Sequence, residues 1–416
     1  MAVFSSLSSF FRRNKRKLII STSLTITLYF LFDHFVIKKL KNFQNSLRQE
    51  LIFKEQIKRR FLQTQQDCYY TILALLPVLS DPIIKHVPVE LITQALKLKK
   101  SNQSNLEMSD SLLTTDNLSL HENNDNLELS KYINKSKNEL WNALKIKTLT
   151  RSLTLIYALS GLLLITRLQL NILARRSYLE LAIVMAGGKL PNDINEGENY
   201  LIEQSYLSLS WWLLNKGWLT VSDTIEEIVS KKFRKVNART ELSLDDFNQL
   251  LNEILDELCI EKREEVFQSL FPITYDNLVE SLLNTNPDLI RELDVRDSNL
   301  LKLINETKYL IKTEIFNDIL IKLLHNGKST LINNVAVNLN PSLLLNNSDK
   351  IELIDDKPFK LASFLAQLSV QNNILVDNNC LDGTQHSELS GNVFVNNMND
   401  LEELDEFSAG IYSNFE

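Results

Sequence analysis

Few positions in this 416-residue chain carry residue types that could do chemistry, and their spacing removes most of them. Gly327-Lys328-Ser329-Thr330 copies the end of a phosphate-binding loop, but the motif's first glycine would fall at position 322, which is Lys. Without both glycines the backbone amides cannot turn inward around a phosphate, and residues 318–326 read as helix where the motif needs a strand. Gly327 is expected instead as the cap between two helices, near 313–326 and 328–337. The five histidines (His34, His86, His121, His325, His386) form no i,i+4 pair and none lies near a cysteine, so a metal site has no support. Cys68, Cys259 and Cys380 are too far apart for a zinc spacing or a disulfide framework, which points to a reducing compartment. Paired acids such as Asp245-Asp246, Asp256-Glu257 and Glu402-Glu403 sit among other charges, as on a solvated helix face. No catalytic residue, metal or cofactor is expected, and no enzyme.

What stands out is a binding residue. Ser136 followed three residues later by Glu139 is a capping box, in which each side chain satisfies an orphan amide at a helix start. A helix begun there puts Trp141 in its second turn, with Lys137, Asn138, Leu144 and Lys145 as same-face neighbours. Three of the four are polar, so Trp141 is expected to be at least half exposed. An apolar anchor with a charged rim has the composition of a binding hot spot; a Trp packed under a loop is the structural alternative. Trp211-Trp212 and Trp218 lack that polar setting and read as structural.

The elements that position these residues are helical. Gly 9 and Pro 8 are few for the length, which leaves little for hairpins or tight turns and suits long helices, so the expected fold class is all-α. Leu47, Leu51, Ile57, Phe61, Cys68, Ile72 and Leu75 recur at helical spacing, and Pro77 is expected to end that helix. Another follows over about 90–100. Residues 101–136, rich in Asn, Ser, Asp and Glu, read as a disordered insertion. The helix from Ser136 runs to about 186 and contains an uncharged stretch, 152–166. Helices are expected near 198–215, 219–234, 243–259, 262–270, 275–283, 297–311 and 358–371. A loose segment covers about 372–398, and a last helix carries Leu401, Leu404, Ser408, Ile411 and Phe415.

Charge divides the chain. Residues 1–60 hold thirteen Lys and Arg against three carboxylates, a net +10, so the other 356 residues carry −17 of the total −7. A basic end on an acidic body suits a membrane or targeting end and argues against nucleic acid, which would need basic residues on the folded domain. Residues 1–17 form the basic segment, with Arg12, Arg13, Lys15, Arg16 and Lys17 as its targeting cluster. Residues 18–37 are long enough to span a membrane, and 38–416 follow as one helical domain. A cleaved signal peptide is the competitor, but the far side of the run, Asp33-His34-Phe35-Val36-Ile37-Lys38, offers no small-residue cleavage site. Both flanks are basic, so charge does not orient the span. Residues 152–172 raise a second-span reading, a multipass transporter using 18–37 and 152–172. Arg151, Arg167, Gln169 and Asn171 favour a buried central helix instead.

The sequence resembles the family of peroxisomal biogenesis factor 3. The resemblance is carried by the basic N-terminus with its single anchor, by Arg60-Phe61-Leu62-Gln63-Thr64-Gln65 and by Leu73-Ala74-Leu75-Leu76-Pro77. It is strongest at Leu140-Trp141 through Leu144-Lys145-Ile146. It continues through Arg167-Leu168-Gln169-Leu170-Asn171-Ile172, Leu303-Ile304-Asn305-Glu306-Thr307 and Phe407-Ser408-Ala409. What the resemblance implies is an elongated helical bundle around one long central helix, anchored in the peroxisomal membrane with its N-terminus in the peroxisomal interior and the rest in the cytosol. It implies a docking receptor for the soluble chaperone of peroxisomal membrane proteins, the nineteenth peroxin, whose amphipathic helix would enter a hydrophobic groove. The Trp matching Trp141 is that groove's anchor, with a Lys matching Lys137 and a Leu best matched by Leu96 in support. In yeasts the family is also a platform for organelle inheritance and pexophagy adaptors.

Overall fold

The computed structural model describes residues 38–104, 124–185, 187, 196–296, 298–340, 358–377 and 391–414. The expected targeting cluster and anchor, residues 1–17 and 18–37, lie outside the described residues. The chain divides into two units, Met1–Gln63 and Thr64–Glu416. Helix α1, Lys38–His86, has residues in both. In the first unit it shows exposed Phe43, Leu47, Leu51, Ile52 and Phe53, among basic residues such as Arg59, which pairs with Glu55 one turn earlier.

The second unit is built around α4, Lys137–Met185. The elements before it are α2, Val89–Ser104, and α3, Asn124–Ile133. After it come α5, Glu196–Ser208, a π turn at Leu213–Gly217, and α6, Trp218–Lys232. The later helices are α7, Leu244–Asp256, α8, Arg263–Leu270, α9, Tyr275–Thr285, α10, Asn299–Ile311, and α11, Glu314–Leu339. The last three are α12, Leu361–Val376, α13, Val393–Asn399, and α14, Glu402–Ser413. Among the described residues the fold is all-helical apart from one antiparallel pair, β1, Glu241–Leu242, with β2, Phe359–Lys360.

Helix α4 is long because it contains no proline and its middle turns are covered on every side. Leu155, Ile156, Tyr157, Leu159, Leu162, Leu163 and Ile165 are all buried, and α2, α6, α11, α12 and α14 each pack against it. Its long polar side chains in this stretch have protein partners. Arg167 donates to Gln65 Oε1, to Asp405 Oδ1 at 3.0 Å and to Asn399 Oδ1 at 2.7 Å. Gln169 donates to the Tyr206 carbonyl at 2.7 Å, and Asn171 to the Arg167 carbonyl at 2.7 Å. In hydrocarbon these groups would have no such partners. Two described stretches, Leu51–His86 and Lys137–Val184, are long and apolar enough to cross a membrane, but 94% of the most apolar window of the second is buried by the protein itself. Residues 152–172 are therefore a core helix, not a second span.

Four details depart from the sequence reading. Pro77 does not end α1, which continues through Pro77 and Pro82 to His86. Leu76, Leu79 and Ile83 on that segment are buried in the core, and their burial outweighs the roughly 3 kcal/mol penalty of an interior proline. Gly327 is no cap, because the two helices expected around it are one, α11. It is there because a Cβ would stand 2.2 Å from Met398 Cε and 2.9 Å from Ile156 Cγ2; α11 approaches α4 and α13 at the one residue without a side chain. Within the stretch read as a disordered insertion, Asn124–Ile133 is helix α3, held by Leu129 and Tyr132 against a small apolar cluster. In the segment read as loose, 372–376 complete α12, and Val393–Asn399 is α13, whose Phe394, Val395 and Met398 are buried.

Candidate docking groove

The first turns of α4 form one wall of the site. Ser136 and Glu139 cap them reciprocally: the Ser136 amide donates to Glu139 Oε2 at 2.7 Å, and the Glu139 amide to Ser136 Oγ at 3.3 Å. From this fixed start Leu140 and Leu144 turn inward. With Val89, Ile92 and Ala95 of α2 they make an apolar cluster separate from the main core, against which Leu96, Leu129, Tyr132, Trp141 and Ala143 pack while staying partly exposed. Leu98 and Ile133, on α2 and α3, are exposed. The structure thus brings Leu96 and Trp141, 45 positions apart in the chain, to the same cluster.

Two anchors hold α2 against α4. Arg151 makes paired bonds of 2.6 Å to both carboxylate oxygens of Glu90 and a third, of 3.2 Å, to the Ile84 carbonyl at the end of α1. Burial raises the Glu90 carboxyl, but the bonds to Arg151 and its charge outweigh it and hold the group below the usual carboxylate range. At the other end of α2, the Lys99 amine donates to the Lys135 carbonyl in the turn between α3 and α4.

Beside Trp141 lies a pocket of about 680 Å³. Lys137, Asn138 and Trp141 line it from α4, and Arg239, Lys360 and Ala362 line the opposite side. That side is rigid: the Leu361 amide donates to the Thr240 carbonyl at 2.9 Å and the Ala362 amide to the Ala238 carbonyl at 3.1 Å, extending the β1–β2 ladder. Lys145 fastens the two sides together. Only 3% exposed, it donates its amine to the carbonyls of Phe233 at 2.7 Å and Val236 at 2.8 Å, and burial pushes its pKa down. Lys137, in contrast, is exposed at the rim. A second concavity of about 420 Å³ lies on another side of the same turns and includes Tyr132, Ala143 and Ile146.

The motifs that the sequence offered for other chemistry do not compete. Lys328 of the loop-like motif lies inside α11, buried, with its amine on Asn248 Oδ1 at 2.8 Å and Asn252 Oδ1 at 2.7 Å; it cannot reach a phosphate. Among the described residues no three His, Cys, Asp or Glu come together as metal ligands. Trp218 is buried with its indole on the Leu214 carbonyl, and Trp212 donates to the Gln268 carbonyl.

The model of the family described as Peroxin-3 matches residues 9–414. The chain belongs to the Peroxin-3 family. It is 62% identical to peroxisomal biogenesis factor 3 of Debaryomyces hansenii, with both chains covered in full. It is 34% identical to peroxisomal membrane protein PEX3 of Komagataella phaffii, over 97% of this chain and 98% of that one. With peroxisomal biogenesis factor 3 of Saccharomyces cerevisiae it shares 27% identity over 98% and 96% of the two chains. This family member is a peroxisome biogenesis factor of the peroxisomal membrane and not an enzyme. Sequence reasoning did not find Arg239, Lys360 or the Arg151–Glu90 pair, because the partners in each lie 61 or more positions apart in the chain and no local pattern links them.

Proposed function

We propose that this Peroxin-3 family member is a docking receptor for the soluble chaperone that carries newly made peroxisomal membrane proteins, the nineteenth peroxin. An amphipathic helix of the chaperone lies along the tip formed by α2, α3 and the first turns of α4, with its apolar stripe on Trp141, Leu96 and the cluster that Leu144 supports. The observation that carries this reading is Trp141 itself: it is partly exposed, rests on an apolar cluster apart from the main core, and opens onto a pocket. Lys137 borders the apolar surface at the rim, and Lys145 acts beneath it by fixing the spacing of the pocket's two sides. Residues 18–37 anchor the chain and Arg12, Arg13, Lys15, Arg16 and Lys17 direct it to the peroxisomal membrane, with the N-terminus in the interior and the helical domain in the cytosol. The same domain also receives inheritance and pexophagy adaptors.

Hydrogen exchange tests the site without a mutation. Adding the chaperone is expected to slow exchange over 137–146 and 91–98, while the distant α9 and α10 stay unchanged. Slowing confined to other elements would place the docking surface elsewhere. For the topology, protease added to sealed organelles should digest the domain beyond 38 and spare the segment before 18.

A further inference from the structure

We infer that the pocket beside Trp141 is a basic subsite that selects docking helices carrying acidic residues along one edge, and that Arg239 and Lys360 read those residues. The inference rests on the docking reading above and adds two side chains to it. Arg239 is presented by the turn before β1 and Lys360 by β2 itself, facing Lys137 of α4 across the pocket. All three side chains are exposed, and none of them makes a hydrogen bond or an ion pair with a described residue. Glu241 stands opposite Lys360 in the two-stranded ladder, but no ion pair joins them. Among the described residues no carboxylate lines the pocket.

Elsewhere on this acidic body several basic side chains are paired with carboxylates. Lys147 pairs with Glu226, Arg151 with Glu90, Arg175 with Glu306, Lys231 with Glu257 and Lys322 with Glu403. Three exposed cations without an ion pair around one concavity, on a chain of net charge −7, create a positive potential that a partner's carboxylates would meet. A helix whose apolar stripe lies on Trp141 and Leu96 turns one flank toward this pocket, and carboxylates on that flank meet the three cations. The other concavity, with Lys135, Glu139, Lys147 and Glu226, has mixed charge and offers no such preference. The two flanks therefore fix which way round the helix lies. Such rim charges act mainly on the association rate and on specificity.

The test is a binding titration of the soluble chaperone against the chain at about 50 and about 200 mM salt, with three variants compared. Arg239→Gln/Lys360→Gln should weaken binding about 2- to 30-fold at the lower salt, the range for two exposed ion pairs, and should flatten the salt dependence. Trp141→Ala should weaken binding at both salts and leave the salt dependence as in the wild type. Arg263→Gln, which removes a partly buried cation outside the pocket's lining, should match the wild type. If the double variant binds as the wild type does, with the same salt dependence, while Trp141→Ala weakens binding, the basic subsite is refuted and the docking reading stands. If Trp141→Ala has no effect, the docking reading fails and the subsite with it.

Discussion

The contact between Arg151 and Glu90 makes an asymmetric prediction. The Arg151 side chain is 3% exposed and that of Glu90 65%, so the two partners differ in what their loss leaves behind. Glu90→Ala strands a buried guanidinium whose Nε already has no partner and whose remaining bond is to the Ile84 carbonyl. Breaking a fully buried pair in this way costs about 3–5 kcal/mol. Water can enter where the exposed Glu90 stood, so the expected loss here is about 2–3 kcal/mol. Arg151→Met removes the buried charge together with its desolvation penalty and leaves Glu90 in water; the chief loss is the bond to Ile84, about 1 kcal/mol. The double variant should then resemble Arg151→Met and not the sum of the two. Urea unfolding of the four proteins measures these differences, and hydrogen exchange in α2 locates them. Because α2 carries Leu96, Glu90→Ala should also weaken chaperone binding. Equal costs for the two single variants, or a double variant as unstable as their sum, would refute the account of a buried cation held by an exposed acid.

The same pair has a pH signature. The folded Glu90 carboxyl is held below its unfolded value of about 4.3, so its stabilising contribution is complete above that value and is lost as pH falls through the folded pKa; the protection of α2 amides, relative to the intrinsic exchange rate at each pH, should fall in acid in the wild type and not in Arg151→Met. Gly217→Ala should destabilise by about 1–3 kcal/mol in thermal unfolding despite the better helix former, because a Cβ there would stand 1.8 Å from the Ser269 carbonyl oxygen, which is backbone and cannot turn aside. Burial pushes the thiols of Cys68 and Cys259 up to about 12, so at pH 8 both should resist alkylation in the native chain and react on unfolding, as peptide mass mapping would show.

How much of this was legible in the sequence depended on how far apart the interacting residues lie. The capping box at Ser136 and Glu139 involves positions three apart, and both of its hydrogen bonds form. The polar neighbours of Trp141 are within one turn, but it is less exposed than the half they suggested, because Lys145 turns inward and Trp141 itself packs on the cluster under α2. The burial of 152–166 could be read from length and from the flanking Arg151 and Arg167. Pro77, Gly327 and helix α3 could not be read so, because each is decided by distant packing. The core around Leu76 and Leu79 carries α1 past its prolines, Met398 and Ile156 require a bare Cα at 327, and α2 supplies the surface on which Leu129 and Tyr132 rest. The pocket's far side was invisible for the same reason: Arg239 and Lys360 reach Lys137 only through the two-residue β1–β2 pairing, which leaves almost no periodic trace.

The central claim is that Trp141 is the anchor of a docking site, and the most direct measurement is the equilibrium affinity of the soluble chaperone for the wild type and for Trp141→Ala. Truncating a hot-spot Trp costs about 2–4 kcal/mol, so the account predicts an affinity roughly 30- to 1,000-fold weaker with the helical content unchanged. An affinity within about threefold of the wild type would contradict it.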